Sequence, residues 1–485
     1  MTISDLLTLL PLLIVSGWAC LLLLIDLAIP TERKYWTAWL AILGLVAAAI
    51  ATIWQFGFSF PAFGGMIVVD GFAQFLNFVF LLSGAVGIVL ARNSLQRMGI
   101  DRGEFYPLIL FTISGMMLMA TAANLIVVFL ALELLSIPLY VLSGFARPQL
   151  ASEESAMKYF LLGAFSSGFL VYGIALAYGA TGTTGLNGIA AALTAGKLSD
   201  PLLLAGVGLI LVGLGFKVAA VPFHMWTPDV YEGAPSVVTA FMSVGAKAGG
   251  FAALLRLFVS AFPALGPTWV PAVAALSALT MTLGNFAAIA QSSIKRMLAY
   301  SSIAHAGYIL MALVAAGARR DLADFSVGSA LFYLFAYAVT NLGTWAVVVA
   351  VEREEGKGLR LDDYAGLGRK RPGLALAMAL FMLSLTGLPP TVGFIGKFYV
   401  FRAALDAGFV WLALVGVLTS LVSAYYYLRV VFIMYMHEGE GVALDRWSLN
   451  LAIGLTALAT FLLGILPGPL MALATRSVLM LLTGS

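Results

Sequence analysis

The chain has 485 residues, 62% of them apolar and only 10% charged, against about 25% charged in soluble proteins. Its mean hydropathy is +1.02, which excludes a solvent-covered globular surface and predicts an all-α polytopic membrane protein. Lys and Arg number 26 against 23 Asp and Glu, and a net charge of +3 gives no argument for a nucleic-acid partner.

The lone cysteine, Cys20, excludes an internal disulfide and a cysteine-built iron–sulfur or zinc site within the chain. The three histidines, His224, His305 and His437, have no HxxxH or HExxH spacing, so no metal or haem cage is expected. Met1 to Asp5 carries no Lys or Arg, and the apolar run that follows is longer than a signal-peptide core. The chain is therefore expected to begin on a transmembrane helix.

A bilayer crossing needs about 20 mostly apolar residues. In chain order, spans are predicted at 6–28, 36–55, 71–91, 105–121, 123–143, 157–180, 202–222, 235–259, 270–290, 298–317, 325–351, 373–400, 408–434 and 449–472, fourteen in all. The fourth and fifth form a tight hairpin across Thr121 to Asn124. The longest polar connection, 352–371, reads as a surface loop with room for a short helix, and no soluble domain fits.

Sixteen Lys and Arg residues fall in the odd-numbered connections and six in the even-numbered ones and the C-terminal stretch. The positive-inside rule then places the odd connections in the cytoplasm and both termini outside, in a cell inner membrane. Lys158 and Arg256, near the ends of their spans, are counted with the adjoining connections, and four basic residues remain inside spans: Lys217, Lys247, Lys397 and Arg429.

A charge at mid-membrane costs about 2.5–3.5 kcal/mol by insertion scales, so such residues point to function. Glu133, in the fifth span, is the acidic residue nearest the middle of any span. It is expected to have a cationic partner, and the alternative is an ion pair that only aligns two helices. Lys217, in the seventh span, precedes Pro222 by five residues. Proline breaks the helix there, and freed carbonyls beside a lysine would make a polar pocket at membrane depth. Lys247, in the eighth span, lies among Gly245, Ala246, Ala248, Gly249 and Gly250. Small residues give room for close helix approach and for water. With no nearby acid, burial penalises the ammonium and makes proton exchange accessible. Lys397 follows a second break, formed by Gly387, Pro389, Pro390, Gly393 and Gly396 in the twelfth span. His305, in the tenth span, suits a proton relay, although a lone histidine in an apolar span also serves as a packing residue.

The broken spans are the seventh and twelfth, five apart. An odd separation reverses the direction of entry, so spans four to eight and nine to thirteen are read as two inverted five-helix repeats. The chain then divides into 1–104 (helices one to three), 105–260 (first repeat), 261–434 (second repeat) and 435–485 (helix fourteen). Tyr425, Tyr426 and Tyr427 read as interfacial or packing aromatics, and Glu154 with Lys158 as a surface pair. Arg429 is open to a lipid or a neighbouring subunit.

FKVAAVPFHMWTPDVYEGAP (216–235) and TAFMSVGAKAG (239–249) resemble the antiporter-like membrane subunits of respiratory complex I. The resemblance extends to ELLSIPLYVL (133–142), MKYFLLGAFSSGFLVYG (157–173), KRMLAYSSIAHAGY (295–308) and LTGLPPTVGFIGKFYVF (385–401). Within that family the chain is most similar to the N-type subunits. It lacks the histidines of the eighth span found in L- and M-type subunits, and its end at Ser485 leaves no place for a long lateral helix.

The resemblance implies proton translocation by an NADH:quinone oxidoreductase. It implies that Glu133 pairs with Lys217, that Lys247 is the central exchangeable group, and that His305 bridges to Lys397. The expected partners are other complex I subunits, M- and K-type above all, and membrane lipids. NADH, FMN, iron–sulfur clusters and quinone are expected in those partners, with none bound by this chain. A multisubunit Na⁺/H⁺ antiporter, a membrane-bound hydrogenase and a non-transporting scaffold are the rival readings.

Overall fold

The computed structural model describes residues 3–353, 357–477 and 479. The first residues and Ser485, on which the expectations about the chain's start and end rest, lie outside the described residues in part. Twelve helices are long and apolar enough to cross a membrane, and Phe105–Thr121 and Pro372–Thr386 are shorter apolar helices. In chain order the spans are Leu10–Ala28, Tyr35–Trp54, Gly71–Arg97, Phe105–Thr121, Leu125–Ser143, Leu150–Thr181 and Pro201–Val218. They continue with Ser236–Arg256, Gly266–Ile289, Ile294–Ala318, Ala323–Val351, the paired halves Pro372–Thr386 and Val392–Asp406, Val410–Met436 and Trp447–Ile465. The protein is thus a multi-pass α-helical membrane protein, and among the described residues its long and shorter apolar helices follow the fourteen predicted spans in order.

Several helices outrun the predicted spans. The sixth begins at Leu150 and has 32 residues, about 48 Å of helix, while the apolar core of a bilayer is about 30 Å thick. Its polar start, with Glu153, Glu154 and Lys158, continues the helix beyond the apolar run. One small element departs from the all-helical expectation. Phe60–Ala62 and Ile67–Val69 pair as an antiparallel hairpin, with Pro61 opposite Val68.

Contacts between connections test the span count. Asp70 pairs with Arg256 across even connections, and Lys158 and Arg296 both pair with Asp229 across odd ones. Arg97 pairs with Glu352, and Arg371 with Asp445, again odd with odd. A single missed helix between the members of any of these pairs would have placed them on opposite sides of the membrane.

The eighth, tenth and eleventh spans form the centre. Their apolar windows are 94–100% buried, against 28% for the first span and 33% for the sixth and fourteenth. The outer helices therefore present apolar side chains to lipid or to other subunits, such as Phe160, Phe165 and Tyr172 on the sixth. Close approach at the centre is set by glycine. A Cβ on Gly115 of the fourth span would meet the Leu135 backbone nitrogen of the fifth at 2.3 Å. The 352–371 connection is more than a surface loop. It contains short helical turns at Leu361–Tyr364 and Leu367–Lys370, and Leu361, Tyr364 and Leu367 are buried. Residues 354–356 lie outside the described residues.

Candidate functional site

The structure places Lys217, Lys247, His305 and Lys397 in the buried interior of the helix bundle and Glu133 half-buried beside them, each with a hydroxyl partner, while the helix-break residues Pro222, Pro389 and Pro390 are exposed. The fifth span starts at Asn124, whose side chain caps the Ile126 amide, and carries Glu133 on a face turned to the sixth span. There Ser167 Oγ donates to Glu133 Oε1 at 2.5 Å. Ser136 lies three residues further along the same helix. It accepts from Lys217 Nζ at 2.8 Å, while Tyr159 OH takes the same ammonium at 3.2 Å. The expected direct pair is therefore not formed: Lys217 contacts Ser136 and Tyr159, and Glu133 contacts Ser167. Among the described residues no ion pair joins Glu133 to Lys217.

The seventh span stops at Val218, and the chain turns before a short helix, Trp226–Gly233. The freed carbonyls at this break do not go to Lys217, contrary to the expectation of a carbonyl pocket. Phe216 O accepts from the Trp226 indole at 3.0 Å and Gly215 O from the Ala220 amide at 2.8 Å. The Trp226 ring also stacks on Tyr159 at 4.6 Å between centroids. The stem of Lys217 packs on Gly250, where a Cβ would meet its Cγ at 3.2 Å. Gly250 lies three residues from Lys247, so the two lysines sit on adjoining turns of neighbouring helices.

Lys247 is 3% exposed on a helix with no exposed residue. Its ammonium donates to the Ser302 carbonyl and, at 2.5 Å, to Ser302 Oγ. Ser302 stands three residues before His305 on the tenth span. His305 is no bare packing residue. Nδ1 meets Tyr333 OH at 2.8 Å and Nε2 meets Tyr427 OH at 3.2 Å, and Tyr427 also bonds to Ser301. Beside it, a cavity of about 10 Å³ is lined by Tyr333, Tyr337, Thr340, Ser384 and Gly393, about the size that admits one water.

Lys397 closes the row. The first half of the twelfth span ends at Thr386, with Gly387 in the left-handed region at φ 87°. Lys397 Nζ, from the second half, donates to Leu385 O at 3.0 Å, Thr386 O at 2.8 Å and Ser420 Oγ at 2.7 Å. A cation at a helix C-terminus is favoured by the free carbonyls and the helix dipole. The Lys397 ammonium also lies 4.8 Å over the Tyr308 ring.

The serine and tyrosine partners went unread in the sequence, because hydroxyl residues are common in apolar helices and carry no spacing signal. Tyr426 and Tyr427, read as packing or interfacial residues, are buried network members, and only Tyr425 faces outward. Arg429, left open to a lipid or a neighbouring subunit, finds partners within the chain. Its guanidinium bonds to Ile289 O and Gln291 O, closing the end of the ninth span. Arg256, counted with a connection, is instead a fully buried charge at the end of the eighth span. Lys158 is the expected surface residue, paired with Glu154 at 2.7 Å and Asp229 at 2.8 Å. At this surface cluster the hydrogen bond from Lys158, followed by that from Arg296, holds the Asp229 carboxyl below the usual carboxylate range. Among the described residues no three His, Cys, Asp or Glu side chains converge as a metal site would require.

Residues 122–423 match the family model described as NADH:quinone oxidoreductase/Mrp antiporter, transmembrane region. A curated relative, NADH-quinone oxidoreductase subunit N of Chloroflexus aggregans, is 50% identical over 98% of both chains. A chain in the structure of respiratory complex I from Thermus thermophilus is similar at a TM-score of 0.82 and 38% identity, covering 96% of this chain and 99% of that one. A chain of the Mrp complex from Dietzia has a TM-score of 0.83 at 22% identity, covering 98% of this chain and 97% of that one, and shows the shared fold alone.

Proposed function

The chain belongs to the NADH:quinone oxidoreductase/Mrp antiporter transmembrane family, and from that premise we propose that it is the proton-translocating N-type membrane subunit of an NADH:quinone oxidoreductase. The observation that carries the mechanism is the row of three buried lysines, Lys217, Lys247 and Lys397, none of them in an ion pair among the described residues and each hydrogen-bonded to a serine hydroxyl.

Protons move along Glu133, Lys217, Lys247, His305 and Lys397. Glu133 and Ser136 lie on one face of the fifth span, so a small rotation of that helix exchanges one for the other beside Lys217. When Glu133 engages Lys217, the ammonium is held charged. A cation there disfavours a second charge on Lys247, which passes its proton by way of Ser302 to His305 and on to Lys397. When Glu133 returns to Ser167, Lys217 is less stable as a cation and Lys247 reloads. The geometry described above corresponds to this reloading arrangement. The driving signal comes from quinone reduction in partner subunits, and this chain supplies no redox centre.

The chain works within a multisubunit complex, with M- and K-type subunits as its membrane neighbours. It sits in the cell inner membrane with its odd connections in the cytoplasm and both termini outside. The two five-helix units are inverted repeats, a reading supported by the matching positions of the two broken spans. Co-purification of the tagged chain with flavin- and iron–sulfur-binding subunits supports this assignment over a Na⁺/H⁺ antiporter. Lys247→Met in the purified complex, reconstituted in vesicles, is expected to abolish proton translocation while the complex remains assembled. Wild-type pumping by that variant would overturn the role of the lysine row.

A further inference from the structure

One feature outside the lysine row has the chemistry of a binding site. The first half of the twelfth span and the fourteenth span diverge where they reach the odd-numbered connections, leaving a groove of about 610 Å³. Its mouth is lined by Lys370 and Arg371, and its walls by Leu376, Leu380, Ile453 and Ala457. Gly373 and Gly454, also in the lining, keep it open, since a Cβ on either would meet nothing within 4 Å.

The charges at the mouth are not balanced. Arg371 pairs with Asp445 at 3.0 Å and is 44% exposed. Lys370 is exposed and makes no ion pair among the described residues. The mouth therefore keeps one net positive charge. Trp447, 65% exposed at the start of the fourteenth span, marks the level of the membrane–water interface beside it. From Pro372 to Leu380 the groove descends about 12 Å along the helix into the apolar layer. A positive mouth at the interface above an apolar, small-residue channel at acyl depth has the polarity of a phospholipid with an anionic headgroup. An apolar partner helix would fill the channel but would leave Lys370 without a counter-charge, which an anionic headgroup supplies.

We propose that this groove binds an anionic phospholipid, its phosphate held at Lys370 and Arg371 and an acyl chain lying between Leu376, Leu380, Ile453 and Ala457. The bound lipid covers the seam between the broken twelfth span and the fourteenth, on the side of the break that Lys397 caps.

Photoreactive phosphatidylglycerol and photoreactive phosphatidylcholine, each carrying a diazirine in the acyl chain, are added separately to the purified, delipidated complex, and labelled peptides are mapped by mass spectrometry. The expected result is labelling within 374–380 and 453–457 that is stronger for phosphatidylglycerol. One basic residue near a membrane surface is worth about fivefold in anionic-lipid affinity, so Lys370→Gln is expected to lower the phosphatidylglycerol signal by about that factor and leave phosphatidylcholine unchanged. Gly454→Leu fills the groove and is expected to remove both signals there, while labelling elsewhere on the chain persists. Equal labelling by the two lipids in the wild type means annular lipid only and overturns the proposal. Absence of lipid label, with cross-links from the groove to a partner subunit, means a protein occupant and overturns it as well.

Discussion

The axial position of Lys247 is held by a buried ion pair, and breaking that pair has a calculable cost. Arg256 ends the eighth span nine residues beyond Lys247, about 14 Å along the helix. Its guanidinium grips Asp70 through two bonds of 2.9 and 2.8 Å, and Nε donates to the Ala120 carbonyl at 2.8 Å. The two side chains are 1% and 0% exposed. Asp70 also caps the third span by accepting from the Ala73 amide at 3.0 Å. The pair thus ties the ends of the third, fourth and eighth spans together.

Removing one partner strands the other charge, which costs about 3–5 kcal/mol. Asp70→Asn keeps an N-cap, so its cost is that of the stranded guanidinium. Arg256→Met strands the carboxylate and, in addition, the Ala120 carbonyl, worth about 1–3 kcal/mol. In the double variant no charge remains, and only the carbonyl term is left. The double variant should therefore be more stable than either single one, with a coupling of several kcal/mol in its favour. Thermal inactivation rates of the purified complex and the assembled fraction on native gels read out this order. Costs that simply add in the double variant, or single variants as stable as the wild type, would refute the reasoning.

Other consequences can be tested on the same preparations. Gly115→Ala drives a methyl into the Leu135 backbone at 2.3 Å, which costs about 1–3 kcal/mol as overpacking. It should shift the helix carrying Glu133, so that pumping per assembled complex falls further than assembly does. Asp229 is held below the usual carboxylate range by Lys158 and Arg296. Its contribution to stability is present above the ordinary aspartate value and lost as pH falls through the lowered one. Asp229→Asn should therefore flatten the loss of assembled complex below about pH 4, and an unchanged acid profile would contradict the assignment. Trp226→Phe removes one of the two donors to the Phe216 carbonyl and leaves the Ala219 amide, so its second lone pair then competes for the Lys217 ammonium. Proton transfer should slow while quinone reduction persists, and a variant that pumps like the wild type would show that the carbonyl finds another partner.

The membrane class and the burial of polar side chains at Lys217, Lys247, His305 and Lys397 were legible because each is costly in lipid. An ammonium at membrane depth, a proline pair within an apolar run and a biased loop charge leave a mark in the sequence that composition cannot hide. Partner choice left no such mark. Ser136, Ser302 and Ser420 are chosen by helix rotation and by the depth of glycine-mediated contacts, which a linear sequence does not encode. Arg256 fell within the predicted span 235–259 yet was counted with the connection beyond it, because nothing in the linear sequence shows that a charge so near a helix end is buried. Asp70, 186 residues away, carries the explanation.

The two broken spans solve the same problem in opposite ways, and the difference bears on direction. At the first break, Trp226 and a loop amide take the freed carbonyls. Lys217 is left with two hydroxyl partners, which hold an ammonium less firmly than carbonyls at a helix end or a carboxylate would. Its contacts are therefore exchangeable, and Glu133, one helical turn from Ser136, is placed to exchange with them. At the second break no indole intervenes, and Lys397 takes the two carbonyls itself. Those acceptors are fixed by the backbone and favour the cation. A lysine with replaceable partners at one end and a lysine with fixed acceptors at the other make an asymmetric row from two similar helix breaks. Lys247 lies between them with a single serine as its partner. That serine offers it one backbone carbonyl and one hydroxyl, a set intermediate between the exchangeable partners of Lys217 and the fixed acceptors of Lys397, so in the proposed mechanism the switch at Lys217 times the release of the Lys247 proton and the acceptors at Lys397 give it a direction.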